Sequence, residues 1–406
     1  MKDDHVKPSF PTETVQEGRV KVFVPKLKEF VKSPSDYAPS KAPVFYNPVM
    51  ELNRDISVLA LQAYQKLIGH EVSVCDPLTG SGVRGIRYAA EIKGIKRVVI
   101  NDISEQAFRL AGYNVQITGL SEHVVVENQD ANCLLSDFSA PHKRFDVVDI
   151  DPFGSPVPYL DSAIRALRSN GLLALTATDM APLCGVHPKA CTRKYGGKPL
   201  RTEYCHELAV RLLAGCVTTT AAKYDIGAHV VFSLYTNHYV RLFVVIKYGA
   251  KEGDKSLRNI GHVLHCFKCF HRETIRDPLI GHSDGCIECG SKLSAGGPMW
   301  IGKLFDRQFC ELMLEEANQR TSRLGKRIGN ILALARDEVD APFSYYVVDA
   351  LCDALSLPMP SAKTIASALQ KRGFQAFFTH LNPNGIRSDV SAMEIQEILR
   401  EIAGSA

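Results

Sequence analysis

The chain has 406 residues, of which 45% are hydrophobic and 23% charged, so it can form two or three globular domains and is neither disordered nor a small disulfide scaffold. Lysine and arginine total 48 against 44 aspartate and glutamate, and a net charge of +4 indicates a polyanion partner only if the basic residues cluster. No run approaches the roughly 18 to 20 apolar residues of a membrane span, and the N-terminus lacks a secretory pattern. We therefore expect a cytoplasmic protein with no membrane contact.

Residues 1–41 carry one alternating segment, Val20–Val24, so we predict an N-terminal arm with one edge strand. From Glu71 onward, short apolar runs alternate with helical stretches, which is typical of βαβ units around a parallel sheet. The predicted parallel strands are Val72–Asp76, Val98–Asp102, Val124–Glu127, Phe145–Asp149 and Leu172–Thr176. A long polar stretch and two more strands, Val230–Tyr235 and Val240–Ile246, follow. Residues 42–250 are thus predicted to form a seven-stranded, doubly wound, Rossmann-like α/β domain.

A glycine-rich loop follows the first parallel strand and opens a helix. Its residues Gly80 and Gly82 let the backbone approach a ligand with amide groups facing it. Asp102 ends the second strand, where such folds place the acid that binds ribose hydroxyls. These features predict a nucleoside site, and their spacing fits NAD as well as S-adenosylmethionine. Asp130 and Ala131 follow the third strand, where a methyltransferase would hold the adenine.

The fourth strand is followed by Asp151-Pro-Phe-Gly154. This segment lacks the pair of residues that a dehydrogenase would use for hydride transfer to or from NAD. The segment resembles the Asp/Asn-Pro-Pro-aromatic motif of enzymes that methylate exocyclic amines of bases. Such an amine is a poor nucleophile, because its lone pair is delocalised, until a carboxylate and a carbonyl accept its two N–H groups. Asp151 and the Pro152 carbonyl are the predicted acceptors, and Phe153 is the predicted stacking surface. A plain Asp-Pro turn is the alternative.

Several longer motifs together resemble the tRNA guanine-26 N2-dimethyltransferases of the archaeal type. The matching segments are Ala42–Asp55, Gly82–Arg87, Asn101–Glu105, Asp149–Pro156, Thr176–Gly185 and Arg193–Tyr195. The resemblance, which extends over residues 42–387, implies transfer of one or two methyl groups from S-adenosylmethionine to the N2 amine of guanine 26 in tRNA. It implies that Asp151 is the catalytic carboxylate. The implied cofactor contacts are Arg54, Arg84, Asp102, Asp130 and Ala131.

No acidic residue lies between Asp179 and Glu203, a segment with five basic side chains. They are Lys189, Arg193, Lys194, Lys198 and Arg201. The segment follows the fifth parallel strand, at the sheet edge where a substrate would enter, so we expect these residues to contact tRNA. An ordinary solvated loop is the alternative.

Four of the twelve cysteines form two closely spaced pairs, Cys266-x2-Cys269 and Cys286-x2-Cys289. Such pairs predict a zinc knuckle, and four protein ligands leave no open position, so we expect structural Zn²⁺. An iron–sulfur cluster is the alternative group. Four nearby histidines could replace a cysteine: His262, His265, His271 and His282. The remaining cysteines are expected to be small buried hydrophobic residues: Cys75, Cys133, Cys184, Cys191, Cys205, Cys216, Cys310 and Cys352.

Residues 251–302 are predicted to be a linker that carries the knuckle, and residues 303–406 a mainly helical α+β domain for tRNA recognition. Apolar residues three and four apart predict helices over 304–317, 324–339, 345–355 and 361–371. The last helix and the aromatic segment 374–387 are typical of a winged helix. Basic side chains here that could contact phosphates are Arg323, Lys326, Arg327, Lys363, Lys371, Arg372 and Arg387.

Two other functions stay open at this stage. One is a methyltransferase of the same fold that acts on another amine, such as adenine N6, another tRNA guanine or a protein glutamine. The other is a noncatalytic RNA-binding protein with a vestigial pocket. The sequence indicates no obligate protein partner, and it does not decide between one methyl group and two.

Overall fold

The computed structural model describes residues 8–31, 33, 38–236, 238–276 and 285–404. The chain divides into two compact units. The first unit runs up to Thr176 and adds residues 243–246 and 312–329, and the second holds residues 177–242, 247–311 and 330–406. None of the described helices is long and apolar enough to cross a bilayer.

The N-terminal arm contains a β-hairpin rather than one edge strand. Strand β1 (Thr12–Glu17) pairs antiparallel with β2 (Val20–Pro25), and Gly18 turns between them with a φ of 54°. The Asn114 side chain binds β2, since its amide donates to the Phe23 carbonyl at 2.9 Å and its oxygen accepts from the Phe23 N–H at 2.8 Å. Strand β1 has a single apolar residue, which is why the sequence pattern does not indicate it.

A seven-stranded sheet follows the hairpin. The elements up to its last strand are α1 (Ala38–Lys41), α2 (Glu51–Ile68), β3 (Val72–Asp76), α3 (Val83–Glu91), β4 (Ile95–Asn101), α4 (Glu105–Ile117), β5 (Val124–Glu127), α5 (Ala131–Asp137), β6 (Phe145–Ile150), α6 (Leu160–Ala166), β7 (Leu167–Ala177), α7 (Met180–Leu183), α8 (Pro188–Tyr195), α9 (Cys205–Ala222), β8 (Ile226–Thr236) and β9 (Tyr239–Tyr248). The spatial order is β5-β4-β3-β6-β7-β9-β8, and the pairs from β5 to β7 are parallel. The predicted doubly wound sheet is confirmed, and its connections reverse direction between β3 and β6.

The long polar stretch that the sequence suggests after β7 contains helices. The longest of them, α9, has 18 residues, and most of them are buried. Its charged residues Glu207 and Arg211 pair with each other at 2.7 Å, one helical turn apart, and both are buried. The pair thus places two opposite charges in the protein interior, in a helix whose other buried residues are mostly apolar.

The C-terminal region is mainly helical, as predicted. Its elements are α10 (Ala250–Leu257), β10 (Ile260–His265), β11 (Arg272–Ile275), β12 (Ser294–Trp300), α11 (Arg307–Asn318), α12 (Gly325–Asp337), β13 (Tyr346–Val347), α13 (Val348–Leu355), α14 (Ala362–Lys371), β14 (Phe377–Phe378), β15 (Gly385–Arg387) and α15 (Ala392–Gly404). Two small sheets have the orders β11-β10-β12 and β13-β15-β14. The predicted linker, residues 251–302, contains most of α10 and all of β10, β11 and β12.

Arg387 is buried and does not lie on a phosphate-contacting surface, which corrects the prediction from its charge. Its guanidinium pairs with Glu338 at 2.7 Å and with Glu207 at 3.0 Å. Glu338 also binds the His380 ring nitrogen Nδ1 at 2.9 Å. Burial opposes the ionisation of Glu338, but Arg387 and His380 outweigh it and lower the pKa of Glu338 to about 2. The network is an internal ion cluster of the second unit.

Candidate active site

The glycine-rich loop after β3 requires its glycines. Gly80 and Gly82 have φ values of 55° and 81°, a left-handed conformation that other residues rarely adopt. A Cβ atom on Gly80 would lie 2.9 Å from the Phe45 carbonyl oxygen, and one on Gly82 would lie 3.0 Å from the Ala111 Cβ. The two glycines therefore let the chain pass closely between its neighbours and turn into α3.

The acidic residues predicted to bind a nucleoside lie at the carboxyl ends of adjacent strands. Asp102 follows β4, where its Oδ2 accepts the Gly80 N–H and its Oδ1 the Ser104 N–H, each at 2.9 Å. Asp130 follows β5 and caps α5 by accepting two backbone N–H groups, and Ala131 is the buried first residue of that helix. Since β4 lies between β3 and β5, the structure brings these residues to one edge of the sheet.

Asp151 follows β6 at the switch point, and Arg84 donates to its Oδ2. Arg84 is buried on α3, where it also donates to the Asn53 amide oxygen at 3.0 Å and to the Ser57 hydroxyl at 3.1 Å. Burial disfavours the charged guanidinium, but the Asp151 and Asp149 carboxylates outweigh it and hold the pKa of Arg84 well above its usual value. Arg84, implied to be a cofactor contact, here fixes the carboxylate of Asp151.

Two more carboxylates lie beside Arg84. Asp149 is fully buried and accepts a hydrogen bond from the Tyr88 hydroxyl. Asp76 accepts from the Thr79 hydroxyl at 2.8 Å, and burial raises the pKa of Asp76 to about 7. Its buried Oδ1 has no hydrogen-bond partner among the described residues. A cation or an N–H donor of a bound ligand would satisfy this oxygen.

Phe153 projects into solvent beside Asp151, with 67% of its surface exposed. Its ring packs edge to face against Phe45, with ring centroids 4.3 Å apart and planes at 78°. No local sequence pattern marks Phe45 as a site residue, although it lies within the matching segment Ala42–Asp55. Apart from the two chain neighbours of Gly154, no described residue lies within 4 Å of a Cβ atom placed on it, so there is open space next to the aromatic pair.

Arg54, implied to contact the cofactor, lies in a buried ion network. Its Nε and Nη2 atoms both donate to the Glu17 carboxylate, and Nη2 also donates to the Asn47 carbonyl at 3.1 Å. Glu17 also accepts from Arg87 at 3.0 Å. Burial opposes the ionisation of Glu17, but Arg54 and Arg87 outweigh it and lower the pKa of Glu17 to about 2. The network fastens the hairpin to α2 and α3.

Acid should destabilise the protein through Glu17. Because the pKa is lowered on folding, the ion network stabilises the fold above pH 4.5 and loses this contribution as the pH falls toward 2. The full loss is on the order of 3 kcal/mol. In acid-unfolding curves, Glu17→Gln should make the free energy of unfolding less dependent on pH between 4.5 and 2. Glu13→Gln, on the exposed side of β1, should not. Equal slopes for both variants would contradict the assignment.

The five basic residues between Asp179 and Glu203 are all exposed. Lys189, Arg193 and Lys194 lie on α8, and Lys198 and Arg201 lie on the segment after it. Lys194 pairs with Asp179 at 3.0 Å, a contact that leaves the other four charges facing solvent.

The four clustered cysteines lie together at two hairpin-like knuckles. Their sulfur atoms are all within 4.8 Å of one another, with 3.5 Å between Cys266 and Cys289 and 3.6 Å between Cys269 and Cys286. A tetrahedral site with metal–sulfur bonds of about 2.3 Å separates its sulfurs by about 3.8 Å, so the thiols fit such an ion. Of the alternative ligands, His271 binds Glu288 at 2.6 Å, and His282 lies outside the described residues.

The scattered cysteines do not all follow the prediction of burial. Cys133 is exposed, and Cys184 and Cys205 are half-buried. The other five are buried, as predicted.

Comparison with known proteins gives one consistent result. Residues 18–400 match the family described as N2,N2-dimethylguanosine tRNA methyltransferase. The tRNA (guanine(26)-N(2))-dimethyltransferase of Methanobrevibacter smithii is 41% identical over 98% of this chain and 99% of its own length. The tRNA (guanine(26)-N(2)/guanine(27)-N(2))-dimethyltransferase of Aquifex aeolicus is 37% identical over 96% of each chain. The solved complex of Trm1 from Pyrococcus horikoshii with S-adenosyl-L-methionine is 35% identical, with a TM-score of 0.83 over 95% of this chain and 99% of that one.

Proposed function

The chain belongs to the N2,N2-dimethylguanosine tRNA methyltransferase family, and we propose that it transfers one or two methyl groups from S-adenosylmethionine to the N2 amine of guanine 26 in tRNA. The observation that supports this most directly is the Asp151 carboxylate, held by Arg84 at the switch point beside two aromatic rings. Its substrate would place the enzyme's activity in the cytoplasm.

Asp151 is the proposed hydrogen-bond acceptor for the amine. Arg84 donates to Oδ2 of Asp151 and so fixes the rotamer of that side chain. Oδ1 of Asp151 can then accept one N–H of the guanine N2 amine, while the Pro152 carbonyl accepts the other. These contacts localise the nitrogen lone pair, which makes the amine a better nucleophile as its bond to carbon forms. The nitrogen gives up one proton for each methyl group that it receives, and Asp151 is the nearest proposed acceptor.

Phe153 and Phe45 are the proposed base-binding surface. The exposed Phe153 ring, backed by the half-buried Phe45 ring, offers an apolar face at the end of β6 on which an extruded guanine can stack. The open space at Gly154 would leave room for an amine that already carries one methyl group.

S-adenosylmethionine supplies the methyl group as an electrophilic carbon on a sulfonium ion. The residues proposed to hold it are the Gly80–Gly82 loop, Asp102 at the ribose, and Asp130 with Ala131 at the adenine. The Asp76 Oδ1, which has no partner in the part of the chain that the structure describes, fits a donor group of the cofactor, such as its ammonium. Arg54 and Arg84 stay candidate contacts by resemblance.

The basic residues on and after α8 are the proposed tRNA contacts. Replacing Lys189 and Lys198 with glutamate should raise the KM for tRNA by about 10-fold. The slope of log K against log salt concentration should fall by about one for each lost phosphate contact. The Kd for S-adenosylmethionine should not change. As a control, the same reversal of the exposed Lys96 and Lys143 should have little effect on binding in a filter or fluorescence titration. Equal effects of both pairs would refute a local contact.

The four-cysteine cluster is the proposed site of a structural Zn²⁺, because its four thiols fill a tetrahedron. Cys286→Ser should release zinc and lower the free energy of unfolding of the second unit by several kcal/mol. For comparison, zinc binding supplies roughly 10–16 kcal/mol to zinc-finger peptides. Metal analysis and thermal unfolding measure both effects, and Cys133→Ser, at an exposed thiol, is the control. Bound iron with visible absorption would identify an iron–sulfur cluster instead.

The chemistry is tested by incubating the full chain with labelled S-adenosylmethionine and an unmodified tRNA transcript, followed by nucleoside analysis. We expect N2-methylguanosine that converts to N2,N2-dimethylguanosine. Label only in another nucleoside would refute guanine N2 as the target, and label in the protein alone would refute tRNA as the substrate.

A further inference from the structure

We propose that Cys184, Cys205 and His206 form a second metal site, which binds Zn²⁺ through two thiolates and one imidazole. One ligand atom from each of the three residues lies within 4.8 Å of the other two. A tetrahedral zinc ion separates thiolate and imidazole ligand atoms by roughly 3.4 to 3.8 Å, so shifts of about 1 Å or less would complete the site. Such a mixed sulfur and nitrogen donor set is one that zinc prefers.

The backbone fixes the three ligands from both sides. Cys184 directly follows the short helix α7, and Cys205 and His206 are the first two residues of α9. Gly185 has a φ of 86°, and a Cβ atom there would lie 3.0 Å from the Arg201 amide nitrogen, so only glycine allows this approach. The Cys184 sulfur consequently lies 3.8 Å from the Cys205 carbonyl oxygen. Cys184 is thus far from Cys205 and His206 in the sequence, but the packed backbone holds the three residues close together.

The surroundings of the three residues favour an ion over a simple thiol pair. The His206 ring stacks on Tyr235, with centroids 3.8 Å apart and planes at 12°, which restricts its rotation next to the sulfurs. All three residues are half-buried, so an ion can enter from solvent, and three protein ligands leave a fourth position for water. The site differs in this respect from the closed four-cysteine cluster.

The proposed metal site lies at the two ends of the basic segment. Residues 185–204 connect the ligands, and this segment carries all five basic residues proposed to contact tRNA. A metal ion would join the two ends of the segment and so reduce the conformations that it can adopt. The metal site stands on the ligand geometry alone, whereas its link to tRNA rests on the proposed function.

Zinc stoichiometry of the full chain tests the proposal. After saturation with Zn²⁺ and removal of loosely bound metal, native mass spectrometry should find two zinc ions in the wild type and in Cys133→Ser, but one in Cys184→Ser and in Cys205→Ser. Circular dichroism confirms folding of each variant. Trypsin should also cut after Arg193 and Lys194 several-fold faster in Cys205→Ser than in the wild type, a readout that involves no tRNA.

One zinc ion in the saturated wild type, or two in both variants, would overturn the second site. A Cys184–Cys205 disulfide in peptide maps, together with a single zinc ion, would also overturn it and assign the pair to thiol oxidation. None of these outcomes depends on methylation of tRNA, so failure of the proposal and failure of the proposed function are distinguishable.

Discussion

Asp151→Asn is expected to lower kcat for tRNA methylation by about 10²–10⁴-fold, the range that a positioned acid–base group contributes. Asparagine keeps the size of the side chain but loses its charge, so it binds the N–H of guanine weakly and cannot accept the proton. Arg84 keeps its bonds to Asn53 and Ser57 in the variant, so the pocket beneath Asp151 should persist. Single-turnover methylation assays measure the loss.

The Kd for S-adenosylmethionine separates catalysis from cofactor binding. It should be nearly the same in Asp151→Asn and in the wild type, because the Gly80–Gly82 loop, Asp102 and Asp130 lie at the ends of β3, β4 and β5. Arg84, the candidate cofactor contact beside Asp151, keeps its bonds to Asn53 and Ser57. Asp137→Asn, at an exposed position at the end of α5, is the control and should retain both activity and affinity. Normal turnover in Asp151→Asn would show that another residue activates the amine.

Arg387→Ala is expected to destabilise the second unit by about 3–5 kcal/mol, the cost of breaking a buried ion pair. The change leaves Glu207 and Glu338 buried without their shared cation. Trp300, the single tryptophan, lies buried in β12 of the same unit and reports unfolding by its fluorescence in urea. We expect a lower urea midpoint for the variant at neutral pH.

Arg372→Ala is the matched control for Arg387. Arg372 lies at the surface and pairs with the exposed Glu401, a contact worth about 0–1 kcal/mol. Similar small losses in the two variants would show that the Arg387 cluster does not stabilise the fold.

The sheet could be predicted because buried parallel strands have a distinctive sequence pattern. Strands β3 and β5 have the predicted bounds, since each is a short apolar run that ends at an acidic residue. Strands β7 and β8 begin before their predicted apolar runs, at Leu167 and Ile226. A hydropathy pattern locates the core of a strand better than its ends.

Contacts between distant residues account for most of what the sequence could not predict. The partner of Phe153 is Phe45, and the partners of Arg387 are on α9 and near the end of α12. Charge alone predicted Arg387 to be a surface residue, because nothing local shows that two glutamates neutralise it. Features that depend on residues close together in the sequence are easier to predict. The two Cys-x2-Cys pairs are an example, because their spacing alone indicates a cluster of four thiols.

The position of the methyl groups tests the proposed activity most directly. Two unmodified transcripts of one tRNA, with guanine or adenine at position 26, are incubated with the full chain and labelled S-adenosylmethionine, and the label is mapped by nuclease digestion. We expect N2-methylated guanosine at position 26 in the first transcript and no incorporation in the second. Equal incorporation in the adenine-26 transcript would contradict it and place the target at another nucleotide.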